Sequence, residues 1–174
     1  MHAAAHNYVK RIAREHGLTT PGTAVELGAF DVNGSARGVF AKDTVWTGVD
    51  VRAGRGVDVV ADGAEWQPEE PVGLVLCTEV LEHCPHWRKV LTNAAKMLAP
   101  GGALIVTAAG PGRTPHGCDG GDVGDEHYEH ISPAQLTAHL KRVFPRGTVR
   151  VEENAEAGDV YALAIAAQMK AGAK

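Results

Sequence analysis

The chain holds no apolar run of the roughly 20 residues that a membrane-spanning helix requires. Its first residues, MHAAAHNYVK, carry two histidines and a polar helical pattern where a secretory leader needs an apolar core. Cysteine is scarce as well. Cys77, Cys84 and Cys118 are odd in number and irregularly spaced, which argues against a disulfide framework and points to a reducing, cytoplasmic setting. Positive charge is also short, with 17 Lys and Arg against 21 Asp and Glu and a formal net charge of −4. Nucleic-acid binding calls for a basic stripe. The small clusters Lys10-Arg11, Arg88-Lys89 and Lys141-Arg142 instead fall in helical patterns and read as solvated faces. Internal repeats are missing, and the one compositional bias is an Ala/Gly/Lys tail after Met169 that is expected to fray.

What is present suits a globular protein: 174 residues, 44% hydrophobic and 22% charged, expected to form a single domain over residues 1–174. Residues 1–17 read as an N-terminal helix, with Tyr8, Val9, Ile12, Ala13 and His16 on one face and Gly17 ending it. Strand signals fall at 23–27, 45–51, 57–61, 72–77 and 103–107, and helical patterns at 36–41, 85–99 and 133–144. The run 72–77 is almost continuously apolar, as strands buried on both faces are. Pro100-Gly101-Gly102 reads as the stop of the second long helix. Strands at 148–151 and 160–167 are close enough to form an antiparallel pair. Strands alternating with helices, then such a pair, predict an α/β fold. Its sheet is doubly wound, mostly parallel and seven-stranded, with an antiparallel edge strand and helices on both faces. A glycine-rich loop from 110 to 125, extending as a substrate cover to 132, is too polar for core.

The chemistry centres on TAVELGAFDVNGSARGVF at 23–40, where strand, tight turn and helix place a ligand at the carboxyl end of the first strand. Gly28 alone specifies little. Asp50 ends the second strand, where a carboxylate can accept from both hydroxyls of a ribose. Asp62 ends the third, positioned to accept the exocyclic amine of an adenine, and Glu79 follows the fourth, facing the same crevice. Carboxylates at successive strand ends are hard to explain as packing, because each sets a charge beside a core edge.

ELGAFDVNGSAR, GVDVRAGRGVDVVAD and VLCTEVLEHCPHWRKVLTNAAKMLAPGGALIVTAAGP together resemble the class I S-adenosylmethionine-dependent methyltransferases, in particular their small stand-alone members. The resemblance spans residues 22–110 and extends more weakly to HYEHISPAQL. It implies a Rossmann-like fold, S-adenosyl-L-methionine as cofactor, and methyl transfer to an oxygen or nitrogen of a small-molecule acceptor. Glu26 and Gly28 match the acidic residue and first glycine of the loop near the methionine end, with Asn33 in the turn that follows. Asp50, beside Val51, matches the ribose-binding acid, and Asp62 and Gly63 match the adenine-binding pair. Thr78 and Glu79 match the strand-end residues near the methyl sulfonium. Phe30 and Val32 stand where the commoner pattern has its second and third glycines. That disfavours a pyrophosphate and suits a cofactor with no phosphate.

A base is needed only for a hydroxyl or protonated-amine acceptor. The catalytic candidates are His83, His127 and His130. His83, His86, His116, His127 and His130 are expected to gather over the methyl group, whereas His2, His6, His16 and His139 read as surface or packing residues. Glu82-His83 reads equally as a helix cap, and Tyr128 as a packed lid. No metal is assigned, since the His and Cys residues come from separate loops and match no closed structural site. The expected partners are a small-molecule acceptor and at most another copy of the chain, with neither nucleic acid nor membrane. Two alternatives are a non-catalytic S-adenosylmethionine-binding interaction or regulatory protein and, disfavoured by Phe30, an NAD-dependent oxidoreductase.

Overall fold

Seven strands form one sheet in the order β3-β2-β1-β4-β5-β7-β6 in the computed structural model, which describes residues 1–168. The Ala/Gly/Lys tail lies outside the described residues. β1 (Thr23–Leu27), β2 (Val45–Asp50), β3 (Val59–Val60), β4 (Val72–Thr78) and β5 (Leu98–Ala109) pair in parallel. β7 (Asp159–Ile165) runs antiparallel to both β5 and β6 (Thr148–Asn154), so the reversed strand sits one place in from the edge. The chain winds outward from β1 on one side and from β4 on the other. The carboxyl ends of these two neighbours therefore form the topological switch point, where open α/β sheets leave a crevice.

Period-two alternation gives β4 two buried faces: Leu74 and Leu76 point one way, Val75 and Cys77 the other. Helix α1 (Ala3–Glu15) covers the first face with Tyr8, Val9, Ile12 and Ala13, and the Tyr8 and Tyr161 rings stack 4.5 Å apart. Helices α2 (Trp87–Met97) and α3 (Pro133–Val143) cover the second face through Trp87, Leu91, Met97, Leu136 and Leu140. Each such side chain contributes about 1.5–3 kcal/mol by leaving water. α3 starts on a capping box: Ser132 Oγ accepts from the Gln135 N–H, and Gln135 Oε1 accepts from the Ser132 N–H, with Pro133 next.

Three boundaries differ from the sequence expectation. Residues 36–41 make only a 3-10 turn, Ala36–Val39, because so short a run around Gly38 cannot nucleate an α-helix, and Ser35 ties it off by accepting from the Arg37 N–H. Pro100-Gly101-Gly102 does not end a helix. The helix ends at Met97, and the three residues lie inside β5 where the register with β4 slips between Val72 and Leu74. The third strand shrinks to two residues at the sheet edge.

Candidate functional site

The turn after β1 is built by Gly28, whose φ of +74° is open to glycine at no steric cost. Its N–H and that of Ala29 both donate to the Val49 carbonyl. A Cβ on Gly28 would lie 2.1 Å from Val80 Cγ2, so the loops after β1 and β4 meet there. Glu79 has a φ of +57°, a strained conformation for a residue with a side chain. Its N–H donates to the Thr107 carbonyl at 2.8 Å and its Oε1 accepts from Thr107 Oγ1 at 3.0 Å, which hold it there.

Two cavities open over these strand ends. The larger, about 910 Å³, lies between the 28–35 turn, residues 113–118 and the N-terminal Met1 and His2. The smaller, about 300 Å³, lies between Asp50, Asp62, Val80 and His86. Gly28, Phe30, Glu79, His83 and Cys118 line both, so the two are adjoining halves of one cleft.

Each expected cofactor residue borders this cleft: Val51, Asp50, Asp62 and Gly63 the smaller half, Glu26, Asn33 and Thr78 the larger, Gly28 and Glu79 both. Asp50 accepts from the Phe30 N–H at 3.1 Å on one oxygen and the Arg52 N–H at 2.9 Å on the other, leaving a lone pair on each. Asp62 accepts from the Ala64 N–H at 2.8 Å, and its other oxygen lies 3.2 Å from His86 Nε2. Glu26 is different. It is 3% exposed and both oxygens are engaged, one by Ser35 Oγ at 2.8 Å and one by Arg37 Nε at 2.7 Å. Burial pushes its carboxyl above the usual range, with Ser35 and Arg37 partly offsetting the effect. It holds the turn in shape.

The histidines divide. His83 lines both halves, His116 the larger and His86 the smaller. His127 and His130 line neither. His127 pairs with Glu129 at 3.6 Å, and His130 Nε2 donates to the Arg113 carbonyl at 2.8 Å. The cause is backbone: the Glu129 N–H donates to the Glu82 carbonyl and the Ile131 N–H to the Ala109 carbonyl. These bonds fix the segment with Ile131 fully buried and His127 and His130 exposed. The expected cluster of five histidines over the cleft thus reduces to three. Burial, then His116, lowers the His83 pKa below its ordinary value.

Sequence reasoning missed three groups. His2, read as a surface or packing residue, reaches the cleft, with Nε2 3.0 Å from Asp159 Oδ2 and 3.3 Å from Glu79 Oε2. Hydrogen bonds to Asp159 and then Glu79 raise its pKa to about 9. Arg113 donates to the other Asp159 oxygen at 3.0 Å, so loop and N-terminus meet on one fully buried carboxylate. Glu82, read as a cap, is fully buried: Oε1 accepts from the Ala109 N–H at 3.1 Å, and burial pushes the carboxyl up to about 8. Nothing in spacing joins His2 to Asp159; Glu82 alone had a signal, an acid between the apolar Leu81 and His83.

Residues 8–147 match a family model described as a methyltransferase domain. The chain belongs to this family. It is a class I S-adenosylmethionine-dependent methyltransferase, and S-adenosylmethionine is its methyl donor. Comparison with curated proteins gives no match by sequence. Solved structures similar to this methyltransferase include the 1,6-didemethyltoxoflavin-N1-methyltransferase of Burkholderia thailandensis, bound to 1,6-didemethyltoxoflavin and S-adenosylhomocysteine. It is 17% identical with a TM-score of 0.68, over 95% of this chain and 79% of that one. The N-methyltransferase NodS of Bradyrhizobium japonicum, in complex with S-adenosylhomocysteine, is 16% identical with a TM-score of 0.61, over 93% and 87%. The magnesium protoporphyrin IX methyltransferase of Synechocystis, with bound S-adenosylhomocysteine, is 12% identical with a TM-score of 0.67, over 94% and 83%. At these identities the likeness is one of fold.

Proposed function

We propose that this methyltransferase methylates an oxygen or nitrogen of a small molecule, with adenosine in the smaller half of the cleft and the acceptor in the larger. The observation that carries the proposal is the meeting of the two halves at Gly28, Glu79 and His83. Gly28, Glu79 and His83, which line both halves, would hold a donor lying across the switch point, and its sulfonium would supply the methyl group there. Asp50, beside Val51, accepts the ribose hydroxyls, and Asp62 with Gly63 faces the adenine. Gly28 allows the methionine end to lie against backbone, Thr78 and Glu79 border the sulfonium, and Glu26 acts through the turn that carries Asn33. The residues fit the group. Two carboxylates with spare lone pairs suit a ribose and an amine, and Phe30, with the Arg52 guanidinium 4.8 Å over its ring, stands where a dinucleotide needs bare backbone.

Methyl transfer is a displacement at carbon. The acceptor lone pair bonds to the methyl carbon, the C–S bond breaks, and sulfur leaves neutral. The chain's task is to align acceptor, methyl and sulfur and to exclude water. Of the three base candidates, His83 stands at the meeting point of the two halves, whereas His127 and His130 line neither. A cavity of about 910 Å³ suits a small-molecule acceptor, and the Burkholderia relative, crystallised with 1,6-didemethyltoxoflavin, is consistent with one.

Calorimetry tests the arrangement. S-adenosylmethionine and S-adenosylhomocysteine are expected to bind and NAD not to. Asp50→Asn should weaken the first two about tenfold to hundredfold, the loss of charged hydrogen bonds to ribose. A wild-type protein that fails to bind S-adenosylhomocysteine overturns the reading.

A further inference from the structure

We propose that Glu82, His83 and His116 form a site for one divalent transition-metal ion of the zinc type, on the acceptor side of the cleft. One ligand atom from each of the three lies within 4.8 Å of the others. In a tetrahedral site with bonds near 2.1 Å the ligand atoms stand about 3.4 Å apart, so small side-chain rotations close the set.

The free valences point the same way. Glu82 spends Oε1 on the Ala109 N–H, while Oε2 is buried with no partner among the described residues. His83 Nδ1 is buried and unpartnered in the same sense. Leaving a buried polar group unpaired costs about 1–3 kcal/mol, and two such atoms on adjacent residues, in a group whose His83 and His116 line the cleft while Glu82 lies buried behind them, are accounted for by a ligand that both bind. His116 supplies an independent sign. Its Nδ1 lies 3.0 Å from the Thr114 carbonyl, which can only accept, so Nδ1 carries the proton and Nε2 offers its lone pair. A second nitrogen bonded to a backbone carbonyl is how metal-binding imidazoles are oriented. Two imidazoles and one carboxylate suit zinc or iron(II) better than the oxygen-seeking magnesium or calcium, and leave coordination positions open.

A neighbouring group, His83 with Cys118 and Glu126, is about as compact. There, however, Glu126 is exposed and already accepts from the Cys118 N–H at 2.7 Å, which reads as closure of the loop.

The role of the ion rests on the proposed function above: His83 and His116 line the larger half, where the acceptor would lie, so an ion held by them would be open to it on that side. A hydroxyl bound there loses its proton to solvent, because the cation lowers its pKa. The oxygen, now anionic, bonds to the methyl carbon as the C–S bond breaks, giving a methyl ether and S-adenosylhomocysteine. His83 in that state is a ligand, and the favoured acceptor is a hydroxyl.

The test measures metal directly. Protein stripped with a chelator is reloaded with zinc(II), desalted and analysed for bound metal, with cobalt(II) absorption reporting the ligand geometry. Wild type should hold one ion per chain. His116→Ala and Glu82→Gln should each weaken binding by about a hundredfold or more, whereas Cys118→Ser should retain it. Circular dichroism checks folding, and if Glu82→Gln does not fold, His116→Ala decides alone. Failure of wild type to retain zinc overturns the site, as does unchanged affinity in His116→Ala or loss in Cys118→Ser alone. S-adenosylhomocysteine titrated into the same samples separates the two proposals: binding of it without zinc sinks the metal site only, and zinc without it sinks the cofactor arrangement only.

Discussion

Gly22 and Gly28 share a φ of +74°, but a Cβ on Gly22 would meet nothing within 4 Å, whereas one on Gly28 would meet Val80 Cγ2 at 2.1 Å. Gly22→Ala should therefore cost only left-handed strain, about 1–2 kcal/mol. Gly28→Ala adds a clash with a β-branched side chain that has few rotamers to escape into, for a total of about 2–4 kcal/mol. Urea denaturation of the pair measures the difference. Equal losses would show that the two loops do not depend on touching. Glu26 offers a second test. Glu26→Ala strips Arg37 of its carboxylate partner and Ser35 of its acceptor, and should destabilise by about 2–3 kcal/mol. Its effect on S-adenosylmethionine binding should vary with the loss of turn structure, in contrast to Asp50→Asn, which gives up one of its two backbone bonds, to the Phe30 or the Arg52 N–H, at about 1 kcal/mol of stability and should weaken binding beyond that loss.

Helix α1 is anchored at its middle by Tyr8 on Tyr161 and tied at its start by His2. The His2 bond gives the tie a pH window. Below the ordinary histidine pKa of 6.5 both folded and unfolded chains carry the proton and the tie contributes fully. Between 6.5 and about 9 only the folded chain keeps it, and the contribution falls away as pH rises. The stability difference between wild type and His2→Gln should shrink by about 1–3 kcal/mol from about pH 6 to about pH 9.5. A pH-independent difference would remove the imidazolium from the account. At the level of elements, sequence pattern served where burial is periodic. Trp87, Val90, Leu91 and Ala94 on one face announced α2, and the apolar run at 72–77 announced a strand buried twice. It failed where periodicity does not decide: the 36–41 segment is too short around Gly38 to nucleate a helix and Ser35 caps it as a 3-10 turn, and Pro100-Gly101-Gly102 is carried into β5 by its pairing beside β4.

The carboxylates that the proposed function uses lie at one rim of the sheet, and that placement was legible because Asp50 ends β2 while Asp62 and Glu79 follow β3 and β4. The roles of Asp159, His2 and Glu82 were not, since they arise from a reversed strand, a chain terminus and a loop meeting in space. A rim assembled from such distant segments should tighten as a unit when the cofactor binds. Ligand at a hundredfold excess over its dissociation constant adds about 2.7 kcal/mol. For a domain of this size each kcal/mol is worth about 2–4 °C, so S-adenosylhomocysteine should raise the melting temperature by about 5–10 °C. Hydrogen exchange should locate the gain. Protection is expected at 28–35, Glu79, Val80, His83 and 113–118, which line the cleft, and not at Val45 or Gly73 at the opposite ends of β2 and β4. A melting shift with protection spread evenly over both rims would mean that the ligand stabilises the fold without closing this cleft. Protection confined to 28–35 would mean that the 113–118 loop and the N-terminus do not take part in holding it.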